Sequence, residues 1–170
     1  MIVPNVLRET IDIVLFHLQP EIPHSYAARE LLMLTCATES HLGRYLMQNK
    51  GPARGIFQME PATERCIHAN YLRYHLELRD KVDALYPTSD AVASQVSQMI
   101  FNIPYQIAMA RIHYRRVPKP LPKVIRPTTG FTIMVGEIYD LAAYWKQFYN
   151  TPLGKGTIKK AIDDYRMFTE

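Results

Sequence analysis

A chain of 170 residues is long enough to bury a hydrophobic core without staples, and it points to one domain spanning 1–170. With 48% apolar and 21% charged residues its composition is that of a globular protein rather than a disordered one, and two cysteines are too few for a disulfide framework. A net charge of +4 favours anionic partners such as nucleic acid, a cell-wall polymer or a lipopolysaccharide surface, without choosing among them.

The first predicted element is a helix that puts Val6, Ile13, Val14 and Leu18 near one face and ends at Pro20 and Pro23. Its stretch, MIVPNVLRETIDIVLFHL, has no basic leader and no small-residue cleavage site, so it is not read as a signal peptide. No apolar run approaches the ~18 residues of a membrane span. Synthesis in a cytoplasm is expected, with a separate route to any substrate outside it. Ser25 is placed to cap a second helix through Leu31, Leu32, Leu34 and Cys36, stopped near Gly43. That helix is apolar almost all round, the mark of a buried one.

RYLMQ and RGIFQM then flank NKGPA and suggest a small hairpin. Pro61 opens the next helix as its first residue, which continues through Cys66, Ile67 and Tyr71. Both cysteines fall in helical patterns and are expected to be buried free thiols, with a single bridge between them as the alternative. Val92, Val96, Met99, Ile100, Ile103, Ile107 and Ala110 form a long stripe that Pro104 interrupts, predicting a kink or two helices.

Residues 115–129, RRVPKPLPKVIRPTT, hold four prolines, five basic residues and no acid, and read as an extended surface connection. A solvated loop is the first reading and attraction to an anionic wall or membrane surface the second. Without aromatic interleaving, a helix-turn-helix or a zinc pattern, nucleic acid is not the expected partner. A further helix buries Ile138, Leu141, Ala142, Trp145 and Phe148 and is broken by NTPLGKG; Thr157 caps a last one with Ile158, Ile162 and Tyr165 inward. The six histidines match no metal-ligand spacing, and no metal or cofactor is expected. The fold class is mainly α, a helical bundle-like domain with one small β element.

Two glutamates carry the chemistry. Glu39 lies four residues past Thr35 and seven past Leu32, on the inward stripe at the end of the second helix. Burial and the negative end of the helix both disfavour its carboxylate, which raises its pKa and suits a general acid. The bland alternative is a surface Glu at a frayed helix end. Glu60, just before Pro61, is at the positive end of a helix, where charge is favoured. Two carboxyl groups pushed in opposite directions form an acid/base pattern, although Glu60 as a plain cap or salt-bridge partner is equally compatible.

Glu39-Ser40, followed by ARGIFQMEPAT from Ala53 to Thr63, resembles the lytic transglycosylases of the lysozyme-like superfamily, bacteriophage members above all. Those enzymes carry Glu-Ser at a helix end and then Gly-Leu-Met-Gln-x-x-Pro-x-Thr; here Gly55, Ile56, Phe57, Gln58, Pro61 and Thr63 match, with Ile-Phe for Leu-Met. The family's Ala-Tyr-Asn-Ala-Gly has only Tyr149-Asn150 as a counterpart, followed by Thr151 and Pro152. The resemblance covers 26–66 and, more weakly, 144–150. It implies an α+β lysozyme-like fold with the hairpin beside the active-site cleft, and cleavage of the β-1,4 bond between N-acetylmuramic acid and N-acetylglucosamine. Glu39 would act as general acid and then base, forming 1,6-anhydro ends. Ser40, Gly55, Phe57, Gln58, Glu60, Tyr149 and Asn150 would serve binding of the glycan strand.

Each of these residues also has a plain structural reading: Ser40 fixing the helix end, Gly55 an ordinary turn, Asn150 a helix stop, Phe57, Tyr144 and Trp145 as core. A phage lysin or a virion-associated protein, touching other virion proteins, is implied. Two alternatives stay open: a hydrolytic muramidase with Glu60 as second carboxylate, and a catalytically inactive glycan-binding or structural virion component.

Overall fold

The computed structural model describes residues 1–86, 95–126, 133–150 and 154–169, without the side chains of 95–97. In them the helices follow in order: α1 (Pro4–His17), α2 (Tyr26–Ser40), α3 (Pro61–Asn70), a 3-10 turn (Leu72–Tyr74), α4 (Leu76–Asp83), α5 (Gln95–Phe101), α6 (Ile103–Arg115), α7 (Val135–Phe148) and α8 (Ile158–Thr169). Val92 and residues 127–129 of the expected connection lie outside the described residues.

A helix that is apolar on every side must be surrounded, and α2 sets the architecture. It buries every residue from Glu30 to Ala37 and packs against α1, α6, α7 and α8. Each fully buried Leu among them stabilises the fold by about 1.5–3 kcal/mol. Ser25 caps it, its hydroxyl accepting from the Ala28 N–H at 3.1 Å. The polar groups inside are satisfied by the helices around them. Thr35 Oγ1 pairs with the Tyr114 hydroxyl of α6 at 2.7 Å, and Glu30 takes the Tyr165 hydroxyl of α8 and Arg29 Nε at 2.7 Å each.

The expected long stripe is two helices, because Asn102 breaks it. Its side chain accepts from the Tyr105 N–H and so caps α6, with Pro104 in the first turn, where no N–H is missed. In α1 the expected face is wrong by part of a turn. Leu7, Ile11, Val14, Leu15 and Leu18 are inward, whereas Val6 is 54% and Ile13 69% exposed. Cys36 is buried as expected; Cys66 is exposed, on the outer side of the short α3, and both thiols are free.

In place of two paired strands, the described residues hold isolated antiparallel bridges, Met47 with Arg54 and Arg54 with Met59. Arg54 and Met59 exchange both backbone hydrogen bonds at 3.0 Å, so Gly55 to Gln58 form a tight turn rather than an extended run. Among the described residues, no helix is long and apolar enough to cross a membrane.

Candidate active site

The end of α2 meets the 54–59 turn through strained backbone. His41, Leu42 and Gly43 leave the helix with φ of 51°, 54° and 80°, and Lys50, Gly55 and Gln58 are also left-handed. All the positive-φ residues described thus fall between 41 and 58. For residues with a side chain this conformation costs roughly 1–2 kcal/mol each, and such strain persists only where neighbours over-determine it. Ser40 supplies part of that. Its hydroxyl donates to the Ile56 carbonyl at 2.6 Å and accepts from the Gly43 N–H at 2.8 Å. The hydroxyl is wholly buried, so Ser40 joins the helix end to the turn and does not face a ligand.

Glu39, one residue earlier, lines a cavity of about 600 Å³, shared with Gln58, Glu60, His113, Tyr149 and Asn150. Its Oε1 accepts from Trp145 Nε1 of α7 at 3.0 Å. Burial pushes the carboxyl up to about 7, against the opposing pull of the Trp145 bond and of the Lys160 charge. The negative end of α2 acts in the same direction as burial. With Oε1 occupied as an acceptor, the acid proton belongs on Oε2, which has no hydrogen-bond partner among the described residues.

His113 helps by carrying no charge. Its Nε2 pairs with the Phe148 carbonyl at 3.2 Å and its Nδ1 with Arg116 at 2.9 Å. A carbonyl only accepts and a guanidinium only donates, which fixes the neutral Nε2–H tautomer. Burial, with Arg116 beside it, pushes the imidazole down to about 4. A histidinium facing this cavity would favour the Glu39 carboxylate; neutral His113 does not.

Gln58 spends its amide N–H groups on the Gly55 carbonyl at 2.7 Å and the Tyr45 carbonyl at 3.3 Å. Its amide oxygen has no partner among the described residues, leaving one acceptor toward the cavity. Glu60 is exposed at the head of α3 and makes no side-chain capping bond. The Tyr149 hydroxyl donates to the Phe57 carbonyl at 2.9 Å, clamping the end of α7 to the turn. Asn150 accepts from Lys146 Nζ at 3.0 Å.

Of the residues singled out in the sequence, Glu39, Gln58, Glu60, Tyr149 and Asn150 come together, and three do not. Phe57 is 1% exposed in the core, so its ring has no face to offer a sugar. Gly55 is needed because a Cβ there would collide with the Met99 carbonyl and the Gln106 amide, not because a ligand approaches. Ser40 is the buried tie described above. The hydrogen-bond partner of Glu39 is Trp145, which the sequence places in the core; a buried indole N–H needs an acceptor, and that is the available signal. For His113 the sequence holds no comparable signal. No protein-family model, curated protein or solved structure matches the chain.

Proposed function

We propose that the chain is a peptidoglycan lytic transglycosylase, acting as a phage lysin or a virion-associated wall-degrading protein. The observation that carries this reading is Glu39: a partly buried carboxyl, held on one oxygen by Trp145, and open to a cavity of about 600 Å³ on the other side. A cavity of that size suits a few sugar rings. Glu39 gives its proton to the glycosidic oxygen between N-acetylmuramic acid and N-acetylglucosamine as the C1–O bond breaks. The resulting carboxylate takes the proton of the muramyl 6-hydroxyl, whose oxygen closes on C1 and leaves a 1,6-anhydro end. One group serves as acid and then as base, which suits a pKa near the working pH. The free amide oxygen of Gln58 accepts from a sugar hydroxyl or acetamido N–H. The developing positive charge is met by neutral dipoles rather than by a buried second carboxylate.

Mass analysis of muropeptides released from purified sacculi tests this directly. Anhydro ends are expected from the native protein and at least a hundredfold fewer, on the order of magnitude of a lost general acid, from Glu39→Gln. A second reading, hydrolysis with Glu60 activating a water, is favoured by the presence of Glu60 on the same cavity. It requires reducing ends and a severe loss in Glu60→Gln, where transglycosylation requires a nearly silent change. Release of no fragments, with retained binding to sacculi, would instead mark a glycan-binding structural component.

A further inference from the structure

A second cavity, of about 340 Å³, lies where the start of α2, the end of α6 and the proline-rich segment meet. Arg111 lines it while only 6% exposed. Among the described residues its guanidinium makes no hydrogen bond and no salt bridge, and its Nε is shut from solvent with no partner. Among the described residues, the other charged groups around the cavity are Arg115 and Lys119, of the same sign, and no carboxylate lines it. The Tyr144 hydroxyl is already committed to the Lys119 carbonyl at 2.8 Å. Ser25, the cap of the 15-residue α2, completes the wall, so the positive end of that helix begins beside the cavity.

A buried cation with no counter-ion costs several kcal/mol and is retained only where something offsets it. Three cationic side chains and a helix N-terminus suit a doubly charged, tetrahedral oxyanion better than a monovalent carboxylate. The volume exceeds that of a phosphate ion and leaves space for an organic body against Val117 and Leu121.

We propose that this cavity binds a phosphate group, as the free ion or as a phosphate ester, through Arg111 with Arg115 and Lys119. The proposal rests on none of the glycosidic chemistry at Glu39.

Calorimetric titration of the full chain at constant ionic strength with inorganic phosphate, glycerol 3-phosphate and acetate tests it. Saturable one-to-one binding of phosphate or its ester is expected, with acetate at least tenfold weaker. Arg111→Met should weaken phosphate binding at least tenfold, while its unliganded Tm rises and no longer responds to phosphate. Arg115→Gln, at an exposed position that does not threaten folding, should weaken binding several-fold. Tighter binding of the ester than of the ion would identify the ester as the ligand, and the reverse the free ion. Absence of saturable binding of either phosphate probe, acetate binding as tight as phosphate, or unchanged affinity in both variants would overturn the assignment.

Discussion

Two cavities of this protein each hold one ionisable side chain largely removed from water, and the outcomes differ. Tyr114 lines the cavity of Arg111 and packs against Tyr149, which lines that of Glu39, so the two are neighbours through a shared aromatic layer. Burial disfavours the charged form in both. It pushes the Glu39 carboxyl up to about 7 and the Arg111 guanidinium down to about 10. The first value is near neutrality, so Glu39 lowers its penalty by holding a proton, as the proposed acid requires. The second is still far above it, so Arg111 stays charged and calls for a counter-ion. On the two proposals, the same desolvation yields a proton donor in one place and an anion receptor in the other.

The comparison breaks hardest at Glu39. Glu39→Gln keeps the shape and the Trp145 contact but removes the transferable proton, and the turnover of sacculi should fall by about 10²- to 10⁴-fold in a turbidity assay.

Stability responds next, with a definite sign. The folded-state pKa of Glu39 is raised above its ordinary value, so its contribution is fully present below about 4.5 and is lost as pH rises through about 7. Glu39→Gln lacks that loss. It should match the native protein in urea unfolding at pH 4 and exceed it at pH 8.5, by up to about 3 kcal/mol. Arg111→Met sharpens the contrast from the other side. Its gain should be about 1–3 kcal/mol and nearly flat between pH 5 and 8, because the guanidinium keeps its charge throughout that range.

The smallest effect is at Trp145. Trp145→Phe keeps most of the ring and deletes the Nε1–H donor, which favours the Glu39 carboxylate. The basic limb of the pH–rate profile should move upward by roughly half a unit to one unit, as expected for loss of one hydrogen bond to the charged form.

Much of the helical framework was legible because single residues decide it. The all-round apolar run of α2 permits only burial, and Ser25, Pro61 and Thr157 mark helix starts by local chemistry that needs no tertiary information. The inward face of α1 was not legible, because Val3, Val6, Ile13 and Phe16 make its outer side nearly as apolar as its inner one, and packing on α2 and α6 makes the choice. At 55–58 Ile56 and Phe57 favour a strand, and Gly55 and Gln58 in left-handed backbone override them to make a turn.

At the site, the end-of-helix position of Glu39 leaves a surface Glu as an alternative, and the following Ser40 with Gly55, Ile56, Phe57, Gln58, Pro61 and Thr63 singles it out. Its partner Trp145 is 106 residues away and His113 comes from a third helix, and no spacing along the chain encodes such meetings. Arg111 is harder still, since an Arg on an amphipathic helix ordinarily faces water.

The proton of Glu39 can be observed at its own carboxyl group. Carboxyl carbon-13 NMR, comparing the native protein with Glu39→Gln to assign the resonance, would follow Glu39 from pH 3 to 9. A midpoint near 7 is the expected result. A midpoint near the ordinary 4.5 would mean that Glu39 is a carboxylate at neutral pH and cannot be the acid.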